Sequence, residues 1–296
     1  MDLVVRCQQI PNPGQTIAAE SATEICGGKG ANQAVGAAMA GGQVRMIGRV
    51  GSDAFAARLR ANLEEHQVDC SAVLPTEKCT SGLAVIAVEH SGQNSIMVVP
   101  GANGNVSESD VREHRAIIES ADVLMLQLEI PIPGVIAAIR IAKQCGVRCI
   151  LDPAPVAADW TDELLDVDLV CPNESEAAAI TGVAIKTLED ARSAALQLQA
   201  RGAKNVAVTM GEKGTVLLVE ETFHHIAATP IQPVDTTGAG DAFASALAVE
   251  WARTSDLLLS TQFASIAGAL AATTFGAQQS LAHRNEINAI RIQTCI

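Results

Sequence analysis

Asp235-Thr236-Thr237-Gly238-Ala239-Gly240-Asp241 stands directly ahead of a stretch rich in Ala and Leu. Glycines let backbone N–H groups crowd toward a ligand, and the N-terminus of a following helix adds about half a positive charge, so this loop can hold a phosphoryl group in transfer. Asp241, in the first turn, can accept the proton of an attacking hydroxyl. A tight turn with Asp241 as helix cap fits the same spacing, and on spacing alone both readings stay open. A second loop, Gly27-Gly28-Lys29-Gly30-Ala31-Asn32-Gln33, also precedes a helical pattern. It offers a cation and two amides to hydroxyls or phosphate, or it is a flexible turn with a solvated Lys29. Asn173 and Glu176, in Cys171-Pro172-Asn173-Glu174-Ser175-Glu176, read equally as a capping pair. Gln127-Leu128-Glu129 puts a carboxylate at an expected strand end, where open α/β sheets bind ligands, though an ordinary surface Glu fits too. His224-His225 cannot grip one metal from one side, because neighbours on a strand face opposite ways. Neither a Gly-x-Gly-x-x-Gly after an early strand nor a Walker phosphate loop occurs.

The elements that must carry these loops follow from periodicity. Strands are expected at Asp2–Cys7, Ser81–Val88 and Asn94–Val99, the last two joined by a Glu89-to-Gln93 hairpin signal; the turn cluster Pro11-Asn12-Pro13-Gly14 closes the first segment. Helical patterns lie at Ala31–Ala40 and Asp53–His66. Ser107-Glu108-Ser109-Asp110 resembles a capping box opening a helix through Ile118. From there strands at Val123–Leu126, Arg148–Leu151, Asp168–Cys171 and Asn205–Thr209 alternate with helices at Gly134–Gln144, Glu174–Thr181 and Leu188–Ala200. Such crossovers imply a parallel sheet with helices on both faces. A hairpin, Thr215–Val219 with Thr222–Ile226, precedes helices at Ala239–Arg253, Asp256–Thr274 and Arg284–Ile292. No repeat or long linker divides the chain, so one α/β domain over 1–296 with a small β lid, its strands near 2–14 and 81–99, is expected.

Composition narrows the partners. The 296 residues are 48% hydrophobic and 18% charged, which suits a globular fold, while aromatics are 2% with no Tyr, so an RNA- or DNA-stacking surface is not expected. A net charge of −13 repels polyanions and acidic membranes, and a phosphate substrate needs a local, built site. The apolar run from Phe263 to Ala277 is short of a membrane span, and no signal peptide opens the chain. Eight cysteines (7, 26, 70, 79, 145, 149, 171, 295) contain no Cys-x-x-Cys pair and read as reduced thiols of a cytoplasmic protein.

Taken in order, Gly27-to-Ala34, Gln127-Leu128-Glu129, Asp152-Pro153-Ala154-Pro155, Pro172-Asn173-Glu174, Thr209-Met210-Gly211-Glu212-Lys213-Gly214 and Val234-to-Asp241 resemble the sugar kinases of the ribokinase (PfkB) family across essentially the whole chain. The resemblance implies a three-layer α/β/α domain with a mostly parallel sheet and a β lid, and transfer of the ATP γ-phosphoryl to the 5-hydroxyl of D-ribose. It implies Asp241 as base with Gly238, Ala239 and Gly240 as an anion hole. Asp2, Gly28, Lys29, Gly30, Ala31, Asn32 and Glu129 match sugar-binding positions. Asn173 and Glu176 match the ATP and Mg²⁺-water region; Thr209 through Gly214, Gly240 and Ser265 match the nucleotide site. Asp235, Thr237, Ala271, Thr274, Gly276 and Ser280 fall where the family holds K⁺. A homodimer joined through the lid strands is expected. Two departures stand out: the chain begins at the final Asp of the family's Gly-Ser-x-Asn-x-Asp-like first strand, so that strand is expected to be missing, and Asp152 replaces the commoner Asn. Another sugar or nucleoside kinase of the family, or a non-catalytic sugar-binding relative, are the alternative readings.

Overall fold

The computed structural model describes residues 1–91 and 93–293. Gly92, in the expected hairpin turn, and Cys295 lie outside the described residues. Along the chain run β1 (Asp2–Cys7), β2 (Ser21–Ile25), α1 (Lys29–Met39), β3 (Arg45–Val50), α2 (Ala54–Glu65), β4 (Asp69–Pro75), β5 (Leu83–Glu89), β6 (Asn94–Val99), α3 (Glu108–Glu113), α4 (Arg115–Glu119), β7 (Val123–Leu126) and α5 (Ile132–Cys145). There follow β8 (Arg148–Leu151), β9 (Leu169–Val170), α6 (Glu174–Thr181), α7 (Leu188–Ala200), β10 (Asn205–Thr209), β11 (Thr215–Val219), β12 (Thr222–Ile226), α8 (Ala239–Thr254), α9 (Leu257–Ala271) and α10 (Arg284–Gln293).

Alternation along the strands builds the layers. Cys149, Leu151, Val170, Val206, Val208, Val216 and Leu218 pack with α5 and α7 on one face. Their neighbours Ile150, Leu169, Cys171, Ala207 and Leu217 pack with α8, α9 and α10 on the other, so a period of two splits one sheet between two helical layers. On α7, Ala191, Ala194, Ala195 and Leu198 recur at helical spacing and are fully buried. This sheet runs β12-β11-β10-β9-β8-β7, parallel from β7 to β10 and antiparallel at β11 and β12. β3 and β4 form a separate parallel pair. A four-stranded lid has the order β2-β1-β5-β6, with β1 parallel to β5. The first residue is tied into it, its terminal amine donating to Gly82 O at 2.9 Å.

Several expectations need correction. β1 spans Asp2–Cys7 as expected, but the lid gains β2, whose residues are almost all exposed and show no alternation. β3 and β4, with two arginines, a glycine and a proline between them, were not expected as strands. The helix opened by Ser107 does have its capping box, but it breaks at His114, whose ring pairs with Asp110 O at 2.8 Å, giving α3 and α4. α9 ends at Ala271, three residues early, because Ala272 O accepts N–H groups from Val234 and Asp235 at 2.8 and 3.3 Å and turns the chain toward the loop before α8. Among the described residues no helix is long and apolar enough to cross a membrane. The seven described cysteines are unpaired, four of them buried.

The helical layer behind the site is fastened by Glu250 of α8, whose side chain is 0% exposed. Arg253 reaches it at 2.7 Å, Arg291 of α10 at 3.2 Å, and Arg284 closes the cluster. Burial works against ionisation here, but the Arg253 and Arg284 guanidiniums outweigh it and hold the carboxyl at about 2. A folded value below the unfolded one gives stability that is present above the unfolded pKa and lost as pH falls toward about 2. Glu250→Ala, leaving the arginines without their acid, is expected to cost about 3–5 kcal/mol. Denaturant melts at pH 7 and pH 3 check this: the gap between wild type and variant should narrow at the lower pH, and an unchanged gap would contradict the assignment.

Candidate active site

Asp241 lies in the first turn of α8 and is 5% exposed. Two amides from α1 hold it there: Asn32 Nδ2 donates to Oδ2 at 2.9 Å and Gln33 Nε2 to Oδ1 at 3.0 Å. Gln278 Nε2 in turn donates to Asn32 Oδ1 at 3.1 Å, and Asn62 Nδ2 to Gln278 Oε1 at 2.8 Å. A buried carboxylate needs such donors, and this chain of amides fixes both its oxygens. Asp241 does not cap α8 through its side chain; Gly238, at φ +78°, occupies the cap with no side-chain bond. A Cβ at Gly238 would lie 2.9 Å from Ala277 Cα, so only glycine fits there. Ala239 N–H donates to Thr236 O at 3.2 Å, whereas the Gly238 and Gly240 N–H groups have no acceptor among the described residues. Space around Gly240 is open.

Around Asp241 the glycine loop, β1 and the end of β7 converge. A Cβ on Gly27 would stand 2.0 Å from Asp2 Oδ2, so the glycine leaves room for the Asp2 carboxyl against the loop. Lys29 N–H donates to Glu129 Oε2 at 2.9 Å, and the side chain of Gln127 lies against Gly30. Burial raises the Asp2 carboxyl, aided by Asp241 and opposed by the terminal amine. It raises Glu129 too, against the Lys29 N–H and charge. For Lys29 burial would lower the pKa, but Asp241, Asp152, Glu176 and Glu129 outweigh it and keep the ammonium charged. Asp2, Gly28, Lys29, Gly30, Asn32, Glu129 and Asp241 are therefore one cluster, with Ala31 packed behind them.

A cleft of about 200 Å³ opens onto this cluster, lined among others by Lys29, Asn173, Glu176, Thr209, Gly240 and Asp241. Asn173 and Glu176 do form the capping box of α6, with 2.8 and 2.9 Å bonds, and still face the cleft. Glu176 Oε1 has no protein partner among the described residues. Thr209 is bridged to Asn173 at the head of the sheet. The rest of its segment stands apart: Met210 is buried in the core, and Gly211, Glu212, Lys213 and Gly214 form a turn in which Lys213 Nζ donates to Lys186 O at 2.9 Å. Ser265 sits on α9, away from the cleft lining, with its buried Oγ lacking any hydrogen-bond partner. Asp235 accepts from Thr237 N and Oγ1 at 3.0 and 2.7 Å and from Gly276 N at 2.9 Å. Burial would raise that carboxyl, but those donors and Arg6 lower it. Thr274 is bonded to Ala271 O at 3.2 Å, while Ser280 Oγ is spent on Ala277 O at 2.7 Å. Gln33 was expected only as one of two loop amides for hydroxyls or phosphate, and its bonds go to Asp152 and Asp241 instead; Asp152 and Gln278 were not among the expected site residues. Asp152 sits just past a strand end, a position that marks it; Gln278 carries no such mark in the sequence.

The family model described as pfkB family carbohydrate kinase matches residues 1–284. A ribokinase of Haemophilus influenzae is 35% identical over 286 residues, covering 96% of this chain and 93% of that protein. A deoxyribokinase of Salmonella typhi is 34% identical over 294 residues, covering 97% and 94%. The structure of Arabidopsis thaliana ribokinase complexed with ribose and ATP superimposes with a TM-score of 0.91 at 32% identity, covering 98% of this chain and 95% of that one. With a lid over a mixed α/β sheet, and an acid set beside open N–H groups at a helix N-terminus, the chain belongs to the pfkB family of carbohydrate kinases and is a sugar kinase, a phosphotransferase.

Proposed function

We propose that this kinase transfers the γ-phosphoryl group of ATP to the 5-hydroxyl of D-ribose, giving D-ribose 5-phosphate and ADP. The observation that carries the reading is the position of Asp241, between a cluster of hydroxyl-binding groups and the unpartnered N–H groups of Gly238 and Gly240. Asp2, Lys29, Asn32 and Glu129 hold the sugar, together with the backbone of Gly28, Gly30 and Ala31. Asp241 takes the proton from the 5-hydroxyl as its oxygen attacks the γ-phosphorus, and the bond from that phosphorus to the ADP oxygen breaks. Charge developing on the phosphoryl oxygens is met by the Gly238 and Gly240 N–H groups and by Lys29. The Ala239 N–H, already bonded to Thr236 O, is a weaker member of this anion hole than the sequence implied.

Asn173, Glu176 and Thr209 line the nucleotide side of the cleft, with the turn from Gly211 to Gly214 beyond them. The free Glu176 oxygen fits the hydrated Mg²⁺ that would screen the triphosphate charge. Asp235 and Thr237 ahead of α8 and Gly276 after α9, joined by the Gly276 N–H to Asp235 bond, with Thr274 and the carbonyls near Ala271 and Ser280, would hold K⁺, whose charge favours anion binding at the neighbouring helix start. The similarity to a deoxyribokinase supports 2-deoxyribose as the second candidate sugar. Strand β6 favours a dimer: it is a lid edge on which Ile96, Met97, Val98 and Val99 are all exposed, Met97 to 65%. Such an edge is a liability unless covered, and the lid of a second copy would cover it.

Four measurements follow. ADP release with a panel of pentoses should be fastest with ribose; turnover with none of them removes the proposal. Asp241→Asn should keep sugar affinity and lose about a hundredfold or more in kcat, the range of a general base. Near-normal turnover would take Asp241 out of that role. Potassium should raise activity where Na⁺ or Li⁺ does less, and indifference to K⁺ over the millimolar range would dismiss the Asp235 site. Sedimentation should find a dimer that Met97→Lys converts to monomer, against a monomeric wild type if the lid edge is left open.

A further inference from the structure

The carboxyl of Asp152 is one carboxamide away from that of Asp241. Asp152 follows β8 directly and is 7% exposed. Gln33 Nε2 donates to Asp152 Oδ2 at 2.7 Å and to Asp241 Oδ1 at 3.0 Å. An amide nitrogen has two hydrogens, so both are spent on acids. The other end of the carboxamide is fixed as well, since Gln33 Oε1 accepts from Gln127 Nε2. Gln33 therefore cannot turn without leaving a buried carboxyl unpaired.

Groups from every side set the charge of Asp152. Burial disfavours its ionised form, and Asp241 of α8 and Glu176 of α6 add negative charge; Lys29 at the start of α1 and the Gln33 amide oppose them. Cys171, after β9, is buried near it, and burial together with Asp152 pushes its thiol well up, so it holds its proton. The balance raises the Asp152 carboxyl to about 8, so at neutral pH it carries a proton and still accepts from Gln33 through Oδ2. Its Oδ1 has no protein partner among the described residues, and the residue faces the cleft.

We propose that Asp152 is a positioning residue for phosphoryl transfer, anchoring the Gln33 carboxamide so that its second N–H holds the Asp241 carboxylate in one orientation. The inference rests on the reading of Asp241 as the base. In its neutral form Asp152 lets two acids share one nitrogen without like-charge repulsion. Ionised, it competes for Gln33 and places a further negative charge in the cleft that receives the triphosphate.

The test is a set of variants assayed with ribose and Mg²⁺-ATP. Asp152→Ala should lose about tenfold or more in kcat with ribose KM little moved, the pattern of an interaction felt in the transition state. Asp152→Asn, which keeps the acceptor oxygen, should recover most of that loss. Gln33→Ala combined with Asp152→Ala should fall no further than the worse single variant, since both break one linkage. In wild type kcat/KM for ATP should decline as pH rises through about 8, where this carboxyl gives up its proton. The D152N variant should lack that inflection, a readout that survives even if D152A fails to fold. An inflection retained in D152N, or additive losses in the double variant, would overturn the proposal. If instead Asp241→Asn turns over normally, it is the base assignment that fails, and the two failures are thereby separated.

Discussion

Everything at the site depends on keeping a carboxylate, Asp241, buried at the start of α8 without neutralising it by an ion pair. Amides do this work: Asn32 and Gln33 on α1 occupy one lone pair on each of its oxygens. Neutral donors hold an acid in place while leaving it able to take a proton, whereas a guanidinium would quench it. The requirement fixes the packing of α1 against α8, and it explains why Gln278 and Asn62, remote from the cleft, extend the same chain of amides.

Around that constraint the fold assembles charge of both signs at short range. Asp2, Glu129, Asp152 and Glu176 are all pushed toward their protonated forms by burial, and Lys29 faces several of them at once. A chain with net charge −13 thus concentrates its one cationic side chain of the cleft lining, its open helix N-terminus and its glycine loop where an anionic nucleotide must enter. The long-range field repels such a ligand; binding it is a matter of this local construction.

Much of this was legible in the sequence, and the reasons are physical. β7, β8, β10, β11 and β12 and helices α6 and α7 were readable to the residue, because buried strands alternate with helices whose ends carry capping pairs such as Asn173 with Glu176. β2 was not, since an exposed strand of Ser, Ala, Thr and Glu has no face to alternate. Loop motifs located Asp241, Lys29 and Asn32, because phosphate and hydroxyl binding demand glycine, cations and amides at helix starts. The partnership of Gln33 with Asp152 was hidden: it joins positions 119 residues apart, which no local pattern records. Likewise Met210, matched by motif, has its side chain in the core.

The most direct test of the central claim is the structure of the chain crystallised with ribose and a non-hydrolysable ATP analogue. The primary hydroxyl of the sugar is expected within hydrogen-bond reach of Asp241, about 2.6–3.2 Å. The terminal phosphoryl group is expected against the N–H groups of Gly238 and Gly240. A sugar bound elsewhere, with Asp241 still touching only Asn32 and Gln33, would contradict it.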